Sequence, residues 1–197
     1  MRYLKIIFLQ QLLLLVFVCL SDLCLGQIKY VIQQKNSQEI IKNGMQKAKN
    51  MIGIVETPPK SNSGQWIDIF LNSIELKSGN AWCVAFCQWA YRTAASELFT
   101  KFNLIKTGQS LLLFNYVSKH GKKSYLKPEY GDWVIFEKTN SIWGHTAFLL
   151  EYHDNYIITL EGNTSNEDNS NDGVFIKKRA VNKFGWLKLK GFISFRE

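Results

Sequence analysis

Cysteine is scarce in this chain, and what there is does not form a framework. Of four cysteines in 197 residues, Cys19 and Cys24 lie in an apolar N-terminal stretch. Cys83 and Cys87 stand four apart on one expected helix, an approach wrong for an unstrained disulfide. A disulfide-stapled fold is excluded. Proline is equally sparse, with Pro58 and Pro59 adjacent, so that 56–64 reads as a loop. The longest apolar run near the N-terminus, Leu12 to Leu20, has nine residues, too few for a membrane span. No repeat, linker or second domain is visible. Cys83 and Cys87 with distant histidines make no zinc pattern. Asp168-Asn169-Ser170-Asn171-Asp172-Gly173 opens like a calcium loop, but its twelfth position is Arg179 where a glutamate is needed. Neither metal nor cofactor is expected.

The short basic start (Arg2, Lys5), the apolar run, and small residues before Gln27 form the three parts of a secretory signal peptide. The expected mature chain is 27–197, one domain, secreted or periplasmic, with no stable membrane span after cleavage. Loss of two positive charges (Arg2, Lys5) and one negative (Asp22) takes the formal charge from +8 to +7. A basic exported protein is drawn to polyanions, cell-wall polymers included. Its lysines are dispersed (Lys177, Lys178, Lys183, Lys188, Lys190) with no compact basic block, so nucleic acid is not an expected partner. A monomer is expected. An exported chain that keeps cysteine unpaired carries a reactive thiol or a buried one. Cys83 reads as the first kind, Cys87 as the second.

The first half has helical periodicity. Ser37 caps a run in which Ile41, Met45, Ala48 and Ile52 repeat, with Gly53 as terminator. Trp66, Ile67, Phe70, Leu71 and Ile74 mark a short amphipathic helix. Asn80 is a good cap type, and Trp82, Ala85, Phe86, Trp89 and Ala90 follow at helical spacing. That places Cys83 at the third helical position, where free N–H groups and the helix dipole favour a thiolate. Ser110 to His120 is a further helix, closed by Gly121.

The second half has β-like periodicity: Trp133 to Phe136, His145 to Tyr152, Tyr156 to Glu161, Gly173 to Ile176 and Leu187 to Phe195. Helices first and antiparallel strands second make an α+β domain. His153-Asp154-Asn155 reads as a hairpin turn. Centred at His153, that hairpin sets His145 opposite Glu161; centred at Asp154, opposite Asn163. A two-residue turn at Asp154-Asn155 puts His145 out of phase, so the pairing needs an odd-length loop or a bulge.

These residues suit thiol chemistry. A thiolate attacking an amide needs a base that returns a proton to the leaving amine, and His145 titrates near neutrality. Glu161 or Asn163 is placed to orient its imidazole. The Cys83 N–H at a helix start is a natural oxyanion donor.

Gly79-Asn80-Ala81-Trp82-Cys83-Val84-Ala85-Phe86, Pro128, Gly131-Asp132-Trp133-Val134-Ile135-Phe136, Gly144-His145-Thr146-Ala147-Phe148 and Glu161-Gly162-Asn163 together resemble the CHAP family. Those are cysteine- and histidine-dependent amidohydrolases and peptidases, akin to the NlpC-type cell-wall hydrolases. The likeness spans about 45–195. It implies a papain-like core, helices packed on a small antiparallel sheet with the cysteine at a helix start. It also implies Cys83 as nucleophile, His145 as base, Glu161 as orienting group and Asn163 as a polar fourth member. The implied substrate is peptidoglycan, cut at the sugar–peptide amide or within the stem peptide or crossbridge. Glu56 and Ser61-Asn62-Ser63-Gly64 resemble the segment before the cysteine in some members, which makes Glu56, Asn62 and Trp82 the substrate-binding candidates. No separate wall-binding module is present, and the aspartate-rich calcium segment of some members is absent. The alternative is a catalytically silent CHAP-like module that binds wall glycan or peptide.

Overall fold

A computed structural model describes residues 27, 36–119, 123–124, 128–181 and 187–196. The expected signal segment 1–26, His120 and Gly121 lie outside the described residues.

Helix α1 occupies 36–49 and buries Ile41, Met45 and Ala48 along one face, as their spacing predicts. Ser37 lies inside this helix instead of capping it, and Ile52 falls beyond its end, 45% exposed. The chain leaves the helix because residues 53–56 are drawn to a strand. The Gly53 N–H donates to Val174 O, the Val174 N–H to Ile54 O and the Glu56 N–H to Asp172 O. Backbone pairing across the chain replaces a last helical turn.

Helix α2 (Gln65–Asn72) buries Ile67, Phe70 and Leu71. Helix α3 (Cys83–Glu97) is the centre of the fold, with every residue from Cys83 to Tyr91 buried. A helix apolar on all sides must be covered on all sides. Phe70 of α2 meets Trp82, Phe86 and Trp89, while Phe148 of the sheet meets Phe86 and Tyr91. Each fully buried aromatic of this kind contributes roughly 1.5–3 kcal/mol from burial. Helix α4 (Ser110–Lys119) adds Leu113, Phe114 and Val117 to the same core.

Six strands follow: β1 (Lys123–Ser124), β2 (Trp133–Lys138), β3 (Gly144–Tyr152), β4 (Tyr156–Ser165), β5 (Asp172–Ala180) and β6 (Leu187–Ile193). They form one antiparallel sheet in the order β1-β6-β2-β3-β4-β5. Because side chains alternate, Trp133, Ile135, Phe148, Leu160 and Val174 join the helix-side core. Val134, Phe136, Ala147, Leu149 and Ile157 make a second cluster on the opposite face. The α+β expectation holds, and strands β4 and β5 run further than their apolar residues alone indicate.

The β3–β4 hairpin uses both devices open to it. Next to the turn, Tyr152 pairs with Ile157 and Glu151 with Ile158, which is the two-residue Asp154-Asn155 turn. A bulge between Leu149 and Glu151 then shifts the register, so that Leu149 pairs with Thr159 and Phe148 with Leu160. One extra residue restores the phase of His145 with Glu161. No described helix is long and apolar enough to cross a membrane.

Candidate active site

The thiol sits where α3 begins, two helical positions from where local pattern places it. The cap residue of α3 is Trp82, and Cys83 is the first helical residue, not the third. The Asn80 side chain instead donates to Lys77 O at 2.9 Å. The cap function comes from across the fold: Asn163 Oδ1 accepts the Trp82 N–H at 3.2 Å. In the first turn the Cys83 N–H has no helical carbonyl to meet.

Three groups surround the sulfur. His145 and the Thr146 backbone N–H stand beside it and favour its charged form. The Ser110 hydroxyl lies 3.9 Å away, and the Thr146 hydroxyl in turn donates to Ser110 Oγ at 2.8 Å. Cys83 is 5% exposed. Burial pushes its thiol up, but the hydrogen bond and charge of His145, with the Thr146 and Ser110 donors, bring it below the usual thiol value. Burial also works against a charged His145; the bonds and charges of Cys83 and Glu161 outweigh it and raise the imidazole to about 10. Both shifts favour thiolate beside imidazolium.

His145 Nε2 lies 3.1 Å from Glu161 Oε2, which leaves Nδ1 for the sulfur. Glu161 is fully buried, and every direction around its carboxylate is occupied. Thr159 donates to Oε1 at 2.6 Å, Arg179 Nε to Oε1 at 2.8 Å, and Arg179 Nη2 to Oε2 at 2.6 Å. Arg179 Nη2 also donates to Thr164 Oγ1 at 3.0 Å. Desolvation alone would raise Glu161, but Arg179 and His145 hold it far below the ordinary carboxylate range. The fork of a guanidinium on one carboxylate fixes orientation as well as charge.

Asn163 takes a different place from the one its motif suggests. It lies in the bulge between Glu161 and Thr164, with φ of 57°. Its amide donates to Asn62 Oδ1 at 2.9 Å and to Glu56 Oε1 at 3.3 Å, turned away from His145. Glu56 is buried beneath the site, accepting the Trp82 indole N–H at 2.8 Å and the Asn62 N–H at 2.9 Å. Trp82 is wholly buried as well. Glu56 and Trp82 therefore stand under the cleft and bind the loop 56–64 to the start of α3. The expectation that they line the groove with Asn62 does not describe their position. Gly162 makes this approach possible, since a Cβ there would lie 2.6 Å from Trp82 Cζ3 and 2.9 Å from Phe86 Cβ.

A cleft of about 490 Å³ opens above Cys83 and His145. Cys87, one turn deeper, is fully buried, and its thiol is pushed up by burial and by the charges of Cys83 and Glu161. Among the described residues no group of His, Cys, Asp or Glu is arranged to hold a metal ion.

A family model, the CHAP domain, matches residues 75–163. This stretch is similar to the CHAP domain and makes up somewhat less than half of the chain. No curated protein and no solved structure gives a match to the chain. The CHAP family is one of cell-wall amidases and peptidases, typically cysteine hydrolases of peptidoglycan. Helices packed on an antiparallel sheet are the papain-like architecture of the CHAP fold. The matched stretch of the CHAP domain includes Cys83, His145, Glu161 and Asn163, and leaves Glu56 and Arg179 outside it.

Arg179 and Ser110 reach the site without any local signal that marks them. Arg179 looks like one of several cations on a solvated strand. Only the alternation that puts it two residues from Lys177, on the face shared with Glu161, hints at a role.

Proposed function

We propose that the chain is an exported cysteine amidohydrolase that cuts an amide bond of peptidoglycan, with Cys83 as nucleophile, His145 as acid and base, and Glu161 as the group that orients His145. The observation that carries this reading is a thiol set beside an imidazole that is hydrogen-bonded to a buried, ionised Glu161, at the floor of a cleft.

Attack of the Cys83 sulfur on the amide carbonyl forms the C–S bond and moves the π electrons to oxygen. The Cys83 N–H, at the positive end of α3, is aimed to stabilise that oxyanion. The His145 Nδ1 proton passes to the amide nitrogen, the C–N bond breaks, and the amine leaves from a thioester. Neutral His145 then takes a proton from water, hydroxide adds to the thioester, and collapse releases the acid with the Cys83 thiolate. Throughout, Glu161 accepts a hydrogen bond from the His145 Nε2–H, which keeps Nδ1 pointed at sulfur and stabilises the imidazolium. The basic mature chain suits an anionic wall polymer. The N-terminal pattern of basic, apolar and small residues supports export with cleavage before Gln27.

The test is incubation of 27–197, wild type and Cys83→Ala, with peptidoglycan sacculi, followed by mass spectrometry of the soluble products. New products from wild type alone are expected, and their masses name the bond. Equal release by Cys83→Ala ends the thiol mechanism. Binding to sacculi without any product supports the silent module instead.

A further inference from the structure

The cleft above Cys83 has two chemically different halves, and the sheet order separates them. On the β2–β3 side the lining residues are Trp143, in the hairpin just before β3, and Leu187 at the start of β6. On the β4–β5 side they are polar and charged, with Asn166 and Lys177 among them. His145, on β3, stands between the two.

Trp143 is 62% exposed, beside an equally bare Ile142, and among the described residues no aromatic partner packs on its ring. Large exposed aromatics at a cleft mouth are uncommon without a ligand to cover them. Its backbone is held in place, with the Lys138 N–H donating to Trp143 O at 3.0 Å and the Trp143 N–H to Ser141 Oγ at 3.1 Å. Gly144 lets the hairpin approach the core, since a Cβ there would meet Phe136 O at 2.5 Å. The indole is thus an exposed flat surface on a fixed backbone, two residues from the base. Such a surface suits the C–H face of a pyranose ring.

Lys177 is the cation that the Glu161 network leaves unused. Its Nζ lies 5.4 Å from the Phe175 ring centroid, and no described carboxylate pairs with it. Arg179, its neighbour on the same face, is committed to Glu161. Asp172, which also lines the cleft, accepts the Ser165 hydroxyl at 2.6 Å. An anionic group on the peptide side of a substrate would find Lys177 as its counter-charge.

We propose that Trp143 forms a sugar subsite and Lys177 a carboxylate subsite on opposite sides of Cys83, so that the bond cut is the amide joining an aminosugar's acyl arm to a carboxylate-bearing peptide. This rests on the reading of Cys83 as the nucleophile of a peptidoglycan amidohydrolase. Water adds across the amide, the sugar keeps the new carboxylic acid, and the peptide leaves with a free amino group.

Three soluble fragments test it: the sugar-linked peptide with free carboxylates, the same peptide N-acetylated without sugar, and the sugar-linked peptide with its carboxylates amidated. Wild type is expected to favour the first over each of the others by about tenfold in kcat/KM, the discrimination of one good contact. Trp143→Ala should collapse the sugar preference and Trp143→Phe should restore most of it. Lys177→Gln should collapse only the preference for free over amidated carboxylate. Preferences unmoved by these variants, or cleavage confined to peptide–peptide bonds, overturn the two subsites while leaving the thiol hydrolase standing. No cleavage of any fragment, and none of sacculi, overturns both readings.

Discussion

Arg179→Met removes the group on which the orientation of Glu161 depends. In the native protein Glu161 is fully buried and accepts two bonds from the guanidinium, at 2.8 and 2.6 Å, besides those from Thr159 and His145. Without the guanidinium, a buried carboxylate keeps its desolvation cost and loses two charge-assisted partners. Breaking one side of a buried pair costs about 3–5 kcal/mol. The Arg179 side chain is 19% exposed, so water can enter the vacated space, and the lower end, about 3 kcal/mol, is expected. The loss should depend on pH. Glu161 is depressed in the folded state, so its stabilisation is complete above the ordinary carboxylate pKa and fades as pH falls through the folded one. The gap between wild type and Arg179→Met in urea unfolding should therefore be widest near pH 7 and narrow below about pH 4. Hydrolysis of sacculi should fall with it, because a carboxylate free to turn or protonate no longer holds His145 Nε2. Arg179→Lys, a point charge without the fork, should recover part of the stability and less of the rate. A loss under about 1 kcal/mol at pH 7 with unchanged hydrolysis would refute the argument.

Three further outcomes follow from the same contacts. A free thiol becomes about 75-fold more ionised between pH 6 and 8; Cys83, held below the usual thiol value by His145, should alkylate with iodoacetamide at a rate that climbs less steeply over that range, measured by intact mass. A rate that climbs like a free thiol would show that no thiolate–imidazolium pair forms. Cys87→Ala should leave sacculus hydrolysis intact and cost about 1 kcal/mol in urea, since it removes one small buried group; loss of activity at full stability would place Cys87 in the chemistry. Gly162→Ala drives a methyl into Trp82 and Phe86 and should cost roughly 1–3 kcal/mol, read as a drop in Tm; an unchanged Tm would mean that α3 and β4 approach less closely than described.

Much of this protein is legible from its residues in order. Apolar spacing places the helix that carries Cys83 and the strands that carry His145 and Glu161, because burying one face demands a period of 3.6 or 2 whatever the neighbours are. Even the hairpin bulge is foreseeable, since a two-residue turn leaves His145 out of phase with Glu161. What tertiary structure decided is the identity of polar partners. Asn80 is the better cap by type, yet Asn163, 81 residues away in sequence, takes the Trp82 N–H, and Cys83 becomes the first residue of its helix. Glu56 and Trp82 suit a substrate groove by proximity, but burial turns them into a clasp beneath it. Arg179 has no motif at all; it matters because Glu161 is buried with its charge and only a partner reaching it from β5 can meet that cost. Periodicity is written locally, while a buried polar group is satisfied by whatever the fold brings within about 3 Å.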